Sequence, residues 1–175
     1  MKILIIIDML NGFCRKGFPL SLPFETESIE KYIEERIKQT IATGGKVIFL
    51  CDSHKLDDPE INDPFPPHCM KDTPEADIVE PLIKYVRGST VLSKNTLSIL
   101  YGTGLEELLK ELNPEEIEIS GVCTDVAVLF AVYELKIRGY KVMVNKNGAL
   151  PLEFDNQDFF LGYFEKILGV NVIRE

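Results

Sequence analysis

Apolar residues in this chain gather in short unbroken runs rather than alternating with polar ones. The runs are Ile3 to Ile7, Val47 to Leu50, Thr90 to Leu92, Ile117 to Ile119, Val142 to Val144 and Val170 to Ile173. A run without alternation has no polar face to give to water, so each predicts a strand covered on both sides. Helical spacing fills the intervals. Ile29, Ile33, Ile37 and Ile41 recur every fourth residue and stop at Gly44-Gly45, a helix end. Thr73-Pro74 predicts the N-cap and first residue of the next helix. Thr103 and Glu106 have capping-box spacing ahead of Leu105, Leu108, Leu109 and Leu112. Thr124, Val128, Ala131 and Leu135 fall on one face of a further helix closed by Gly139, and a last helix carries Phe160, Phe164, Ile167 and Leu168. Strand alternating with helix predicts an α/β fold of three layers, with a six-stranded, mostly parallel sheet between helices, in a single domain over residues 1–175.

Composition narrows the partners. The chain has 175 residues, 45% of them hydrophobic, which is enough to bury a core in one domain. Its 28 acidic and 19 basic residues give a net charge of −9, which repels phosphate backbones and anionic membranes, so neither nucleic acid nor membrane is an expected partner. The apolar run after Met1-Lys2 is too short for a signal sequence or a span and ends at Asp8. Cys14, Cys51, Cys69 and Cys123 show no paired spacing and read as reduced thiols, which fits a cytoplasmic protein.

In parallel sheets ligands bind beyond the carboxyl ends of the strands, and here those ends carry chemistry. Asp8 follows the first run, Asp52 and His54 the second, Lys94 the third, and Gly121 to Ala127 the fourth. The chain's two histidines, His54 and His68, lie in one stretch, and with Asp52 they offer the mixed nitrogen and oxygen donors that suit Zn, Mn or Fe. Asp57, Asp58 and Glu60 in the loop between them provide further carboxylates, and Cys69 adjoins His68. A polar loop with solvent-facing histidines is the other reading of this stretch taken alone. Asp8 and Lys94 read as an acid/base pair or as an ion pair tying two strand ends together. Backbone N–H groups around Gly121 to Asp125, where a strand turns into a helix, suit an oxyanion. The irregular stretches Asn11 to Phe24 and Lys55 to Asp72 are long enough to be active-site loops.

Together, Ile7-Asp8-Met9-Leu10-Asn11-Gly12-Phe13, Asp52-Ser53-His54, Phe65-Pro66-Pro67-His68, Ser93-Lys94 and Gly121-Val122-Cys123-Thr124-Asp125 resemble the isochorismatase-like cysteine hydrolases, and within them the nicotinamidases. The likeness runs in unbroken order from Ile3 to about Val144. It implies hydrolysis of nicotinamide to nicotinate and ammonia through a cysteine thioester, with Asp8 as the base and Lys94 as its electrostatic partner. It further implies a divalent metal, Zn first and Mn or Fe after it, on Asp52, His54 and His68, with Glu60 as a weaker fourth ligand. Phe13, Phe65 and Tyr101 become walls for a flat ring. The Val122-Cys123 bond matches a cis peptide whose Cys123 N–H faces the oxyanion, and a homo-oligomer is implied.

One position departs from that pattern. The nucleophilic cysteine belongs two residues after Thr124-Asp125, where this chain has Ala127. A methyl group cannot attack a carbonyl, and Cys123 precedes that position by about 6 Å of helix, a displacement that catalysis does not tolerate. Two origins fit: a cysteine replaced so that substrate is trapped, favoured by the intact supporting residues, and a chain that lost its thiol. The rival functions are an isochorismatase-type vinyl-ether hydrolase that relies on Asp8 without cysteine, and a binding protein that retains a small amide without turnover.

Overall fold

The computed structural model describes residues 1–174. Among them the chain forms strands β1 (Lys2–Ile7), β2 (Lys46–Asp52), β3 (Thr90–Lys94), β4 (Glu116–Val122), β5 (Val142–Leu150) and β6 (Asn171–Ile173). The helices are α1 (Asn11–Cys14), α2 (Glu27–Ala42), α3 (Glu80–Ile83), α4 (Leu105–Leu112), α5 (Ala127–Ile137) and α6 (Gln157–Lys166). The strands make one sheet in the order β3-β2-β1-β4-β5-β6, and every pairing is parallel.

That order reverses direction at β1, and right-handed crossovers then place successive helices on opposite faces. Ile29, Ile33 and Ile37 of α2 bury Leu4, Ile6, Val47 and Phe49 on one face. On the other, Leu105 and Leu109 of α4, Val128, Ala131 and Leu135 of α5, and Leu161 and Phe164 of α6 cover Ile3, Ile5, Ile48 and Ile117. Alternate residues of β1 thus enter different cores, which is why its five consecutive isoleucines and leucines are all buried.

Local departures from the expected elements have identifiable causes. Thr73-Pro74 opens only a three-residue 3-10 turn, Pro74–Ala76, and a short helix follows at Glu80–Ile83. Thr103 accepts from the Leu105 N–H at 3.1 Å, but Glu106 pairs with Lys110 and Arg138, so no reciprocal capping box forms. Thr124 lies outside α5, its N–H donating to the Leu150 carbonyl at 2.8 Å. Ile41 is on the exposed side of α2. β5 runs on through the polar Asn145-Lys146-Asn147-Gly148, because its register against β4 shifts between Ile119 and Gly121. Within the Asn11 to Phe24 stretch, α1 forms a single turn.

Candidate active site

Register brings the strand ends together. Ile7 pairs with Leu50 on one side and with Gly121 on the other, and Asp52 pairs with Lys94, so Asp8, Asp52, Lys94 and Val122 emerge along one rim. Gly121 is required there: at its φ of +127° a Cβ would come within 2.0 Å of the Ile7 carbonyl oxygen. Asp8 leaves β1 at φ +51°, a left-handed conformation that aspartate tolerates better than branched residues do.

The three charges interlock. Lys94 Nζ donates to Asp52 Oδ1 at 2.5 Å and lies 2.7 Å from Asp8 Oδ2, and the Asp52 N–H donates to Asp8 Oδ1 at 2.8 Å. All are buried, Asp8 and Lys94 being only 2% exposed. Burial, and then the Asp52 charge, push the Asp8 carboxyl up against the pull of Lys94. Burial opposes ionisation of Asp52 as well, but Lys94 and the two imidazoles outweigh it and hold Asp52 well below the ordinary range. Burial likewise opposes charge on Lys94, yet Asp52 and Asp8 keep its ammonium protonated. Two neighbouring carboxylates are thereby pushed apart, one kept as a permanent anion and the other able to carry a proton, an arrangement suited to acid/base work.

His54 and His68 meet although 13 residues separate them, because the returning loop pairs with the strand end. His54 N–H donates to the Cys69 carbonyl at 3.0 Å and the Lys71 N–H to the His54 carbonyl at 2.8 Å, a short parallel bridge. The imidazoles stand 4.5 Å apart by centroid. His54 Nε2 is 3.6 Å from Asp52 Oδ1 and His68 Nε2 3.7 Å from Asp52 Oδ2, and one donor atom from each of the three residues falls within 4.8 Å of the others. His68 Nδ1 lies 2.8 Å from the Pro66 carbonyl, which assigns its proton to Nδ1 and leaves the Nε2 lone pair for the cluster. The fit to a metal rests on His54: neither of its buried ring nitrogens has a hydrogen-bond partner among the described residues. Such a group costs roughly 1–3 kcal/mol when left unmet, a cost that coordination removes. Asp58, 3.5 Å from His54 Nδ1 and fixed by the Asn95 amide at 2.8 Å, backs this ring.

A cavity of about 520 Å³, open mouth included, lies over the rim. Asp8, Asp52, His68, Cys123 and Ala127 line it together, with Phe13, Phe65, Leu20, Leu97, Val126 and Leu152 as apolar walls. Phe13 and Phe65 stand edge-on to His68 at 5.9 and 5.8 Å between centroids. Lys94 and His54 do not face the cavity; they act on it through Asp8, Asp52 and His68. Ala127 opens α5 at the cavity floor. The Cys123 carbonyl takes the N–H groups of Val126 and Val128, at 3.0 Å each, passing over that of Ala127. The Val122-Cys123 peptide is cis, as the resemblance implies.

Several expected residues fall elsewhere. Tyr101 is 71% exposed and does not line the cavity, because Ile99 and Leu100 just before it take the buried positions of the segment between β3 and α4. Glu60 does line it, but its Oε1 accepts the Leu97 N–H at 2.6 Å and the residue stands apart from the Asp52, His54 and His68 cluster. Cys69 turns away from that cluster, its thiol packed against Gly12 and the Glu75 carbonyl, and burial raises its pKa. Cys123 reaches the cavity, yet burial and nearby Asp125 push its thiol far above the ordinary value, so it does not supply a thiolate. Val126 lies within the Gly121 to Ala127 stretch singled out in the sequence, but Leu20, Leu97 and Leu152 carried no signal of their own there, being apolar residues in loops.

The isochorismatase domain matches residues 2–173, and the chain belongs to that family. Among its relatives, the isochorismatase family protein PncA of Bacillus subtilis is 30% identical over 180 residues, with 98% of each chain covered. The crystal structure of nicotinamidase PncA from Bacillus subtilis superposes with a TM-score of 0.90 at 27% identity, covering 99% of both chains. Nicotinamidase 1 of Arabidopsis thaliana is 30% identical over 155 residues, a match that takes 80% of this chain and 62% of the plant protein. N-carbamoylsarcosine amidase from Thermoplasma acidophilum shares the fold with a TM-score of 0.87 at 25% identity, covering 99% of this chain and 95% of that one. The chain is thus similar to hydrolases of small amides.

Proposed function

We propose that this chain carries a nicotinamidase-type site that binds a small flat carboxamide and, lacking a thiol at position 127, does not turn it over by the thioester route. The observation that carries this reading is the convergence on one cavity of Asp8, the Asp52 and His68 pair, and the first residue of α5. Asp52, His54 and His68 would hold a divalent ion, and their mixed nitrogen and oxygen donors rank Zn ahead of Mn and Fe. When bound, such an ion supplies a Lewis acid for a ring nitrogen or an ordered water, and so orients the ligand.

The other roles belong to the protein. Phe13 and Phe65 flank the ring, and the N–H groups of Cys123 and Ala127 receive the carboxamide oxygen. Asp8, held by Lys94, takes and returns the proton that a thiol at position 127 would give up. With alanine there, binding and orientation remain while nucleophilic attack does not. Four free cysteines accord with a reducing compartment, and we place the protein in the cytoplasm. No helix among the described residues is long and apolar enough to cross a membrane.

Replacing Ala127 with cysteine tests this directly. With Zn, Mn or Fe supplied, Ala127→Cys is expected to release ammonia from nicotinamide, while the parent chain binds nicotinamide and releases none. Binding by both proteins with inertness of Ala127→Cys would support the retention of an amide as the function; failure of both to bind would overturn the reading. A second reading is favoured by the raised pKa of Asp8. A carboxyl that keeps its proton can protonate a vinyl ether without any cysteine, and turnover of isochorismate by the unaltered chain would establish it.

A further inference from the structure

Glu60 lines the cavity with half of its carboxylate unused. Its Oε1 accepts the Leu97 N–H at 2.6 Å, while Oε2 has no hydrogen bond and the charge no ion pair among the described residues. The backbone around it is fixed. The Phe65 N–H donates to the Glu60 carbonyl at 3.3 Å and the Asn62 N–H to the Phe65 carbonyl at 2.6 Å, so one turn carries both Glu60 and the Phe65 wall. Apart from Asp8, Asp52 and His68 at the rim, Glu60 is the one charged side chain on walls made chiefly of Phe13, Leu20, Phe65, Leu97, Val126 and Leu152. A few polar groups set in apolar walls are what decide which ligand a pocket accepts.

Strand order sets this carboxylate opposite the amide end of the ligand. Leu97, which Glu60 grips, follows β3, and Cys123 and Ala127 follow β4, whose end lies three strand spacings away, roughly 14 Å between backbones. Asp8 and Asp52, at the ends of β1 and β2, stand between them. A pyridine carboxamide whose amide oxygen meets the N–H groups of Cys123 and Ala127 therefore turns its far ring edge toward Glu60. Building on the nicotinamidase-type reading, we infer that Glu60 is a specificity-determining residue whose free oxygen receives a hydrogen-bond donor at that far edge. The ligand class is then a pyridine carboxamide with an amino group opposite the amide. An N–H donated to a carboxylate makes a charge-assisted hydrogen bond. An acid at the same place meets like charge, because Asp8, Asp52 and Glu60 all line the cavity while Lys94 does not. This role is separate from metal ligation, since Glu60 stands apart from the Asp52, His54 and His68 cluster.

Titration calorimetry of the full chain with Zn supplied tests the inference by comparing nicotinamide, 6-aminonicotinamide and 6-carboxynicotinamide, whose added groups lie para to the amide. The parent chain is expected to bind the amino compound about tenfold more tightly than nicotinamide, and the carboxy compound about tenfold more weakly. In Glu60→Gln both ratios should collapse toward one, whereas a merely structural role would weaken all three ligands alike and keep the ratios. Competition with a chromogenic chelator should give the two proteins the same Zn affinity. The ranking in the parent chain decides the matter even if Glu60→Gln fails to fold. Nicotinamide binding without that ranking, equal ratios in the two proteins, or loss of Zn affinity in Glu60→Gln would overturn the inference and leave the nicotinamidase-type reading standing. Binding of none of the three ligands would overturn that reading and the inference with it.

Discussion

At the scale of single residues, the site is defined by atoms that lack ordinary partners. Among the described residues, neither of the two buried ring nitrogens of His54 has a hydrogen bond, and Asp58 is poised behind one of them. If a divalent ion fills the cluster, Asp58 fixes the tautomer and tilt of a ligand. Asp58→Asn is then expected to weaken metal affinity roughly 10- to 100-fold, measured by competition with a chromogenic chelator. His54→Ala should abolish stoichiometric binding in the same assay. Unchanged affinity in both variants would place the metal elsewhere. Ala127 makes the complementary point: it stands where the sequence pattern asks for a nucleophile, and it lines the same cavity as Asp8, Asp52 and His68.

At the scale of elements, the wall of the cavity depends on how the chain after β1 is pinned. Arg15 forms a two-pronged pair with the buried Glu30 of α2, at 2.6 and 3.2 Å, and the Thr26 hydroxyl donates to the same carboxylate at 2.7 Å. The segment between these anchors contributes Leu20 to the cavity. Burial works against ionisation of Glu30, but Arg15 and Thr26 outweigh it, so its pKa in the folded state lies below the ordinary value. Stabilisation from this group is therefore complete above the unfolded-state pKa of about 4.3, and it disappears as pH falls through the lowered folded value. Glu30→Gln is expected to cost roughly 1–3 kcal/mol at neutral pH. It should also lose less stability than the parent between about pH 5 and pH 3, as read from urea denaturation at each pH. Equal losses in the two proteins would show that Glu30 does not carry this linkage. Neither Arg15 nor Glu30 stood out in the sequence, since a lone Arg and a lone Glu 15 residues apart look like any solvated pair.

At the scale of the whole molecule, metal and fold are coupled, because the cluster joins β2 to a returning loop that only the folded chain brings back. An ion at 100 times its dissociation constant stabilises the native state by about 2.7 kcal/mol. For a chain of this size that corresponds to a rise in Tm of roughly 5 to 11 °C. Differential scanning calorimetry with and without added Zn is expected to show it in the parent chain and not in His54→Ala. A shift of the same size in both would assign the effect to non-specific binding.

What the sequence determined by itself follows from local and periodic signals. Unbroken runs such as Ile3 to Ile7 can only be buried on both faces, so they specified strands, a parallel sheet and the rim at which Asp8, Asp52, Lys94 and Ala127 would converge. Motif order likewise specified the family. Tertiary structure alone decided which loop residues face the cavity: Leu20, Leu97 and Leu152 came in, and Tyr101 stayed in water. It also decided that β5 bulges through Asn145 to Gly148 before its pairing with β4 resumes at Ala149, and that Cys69 turns its thiol from the metal cluster into the core. In each of these cases the outcome depends on contacts between segments distant in sequence, and loop backbones have no periodicity that records which way a side chain will point.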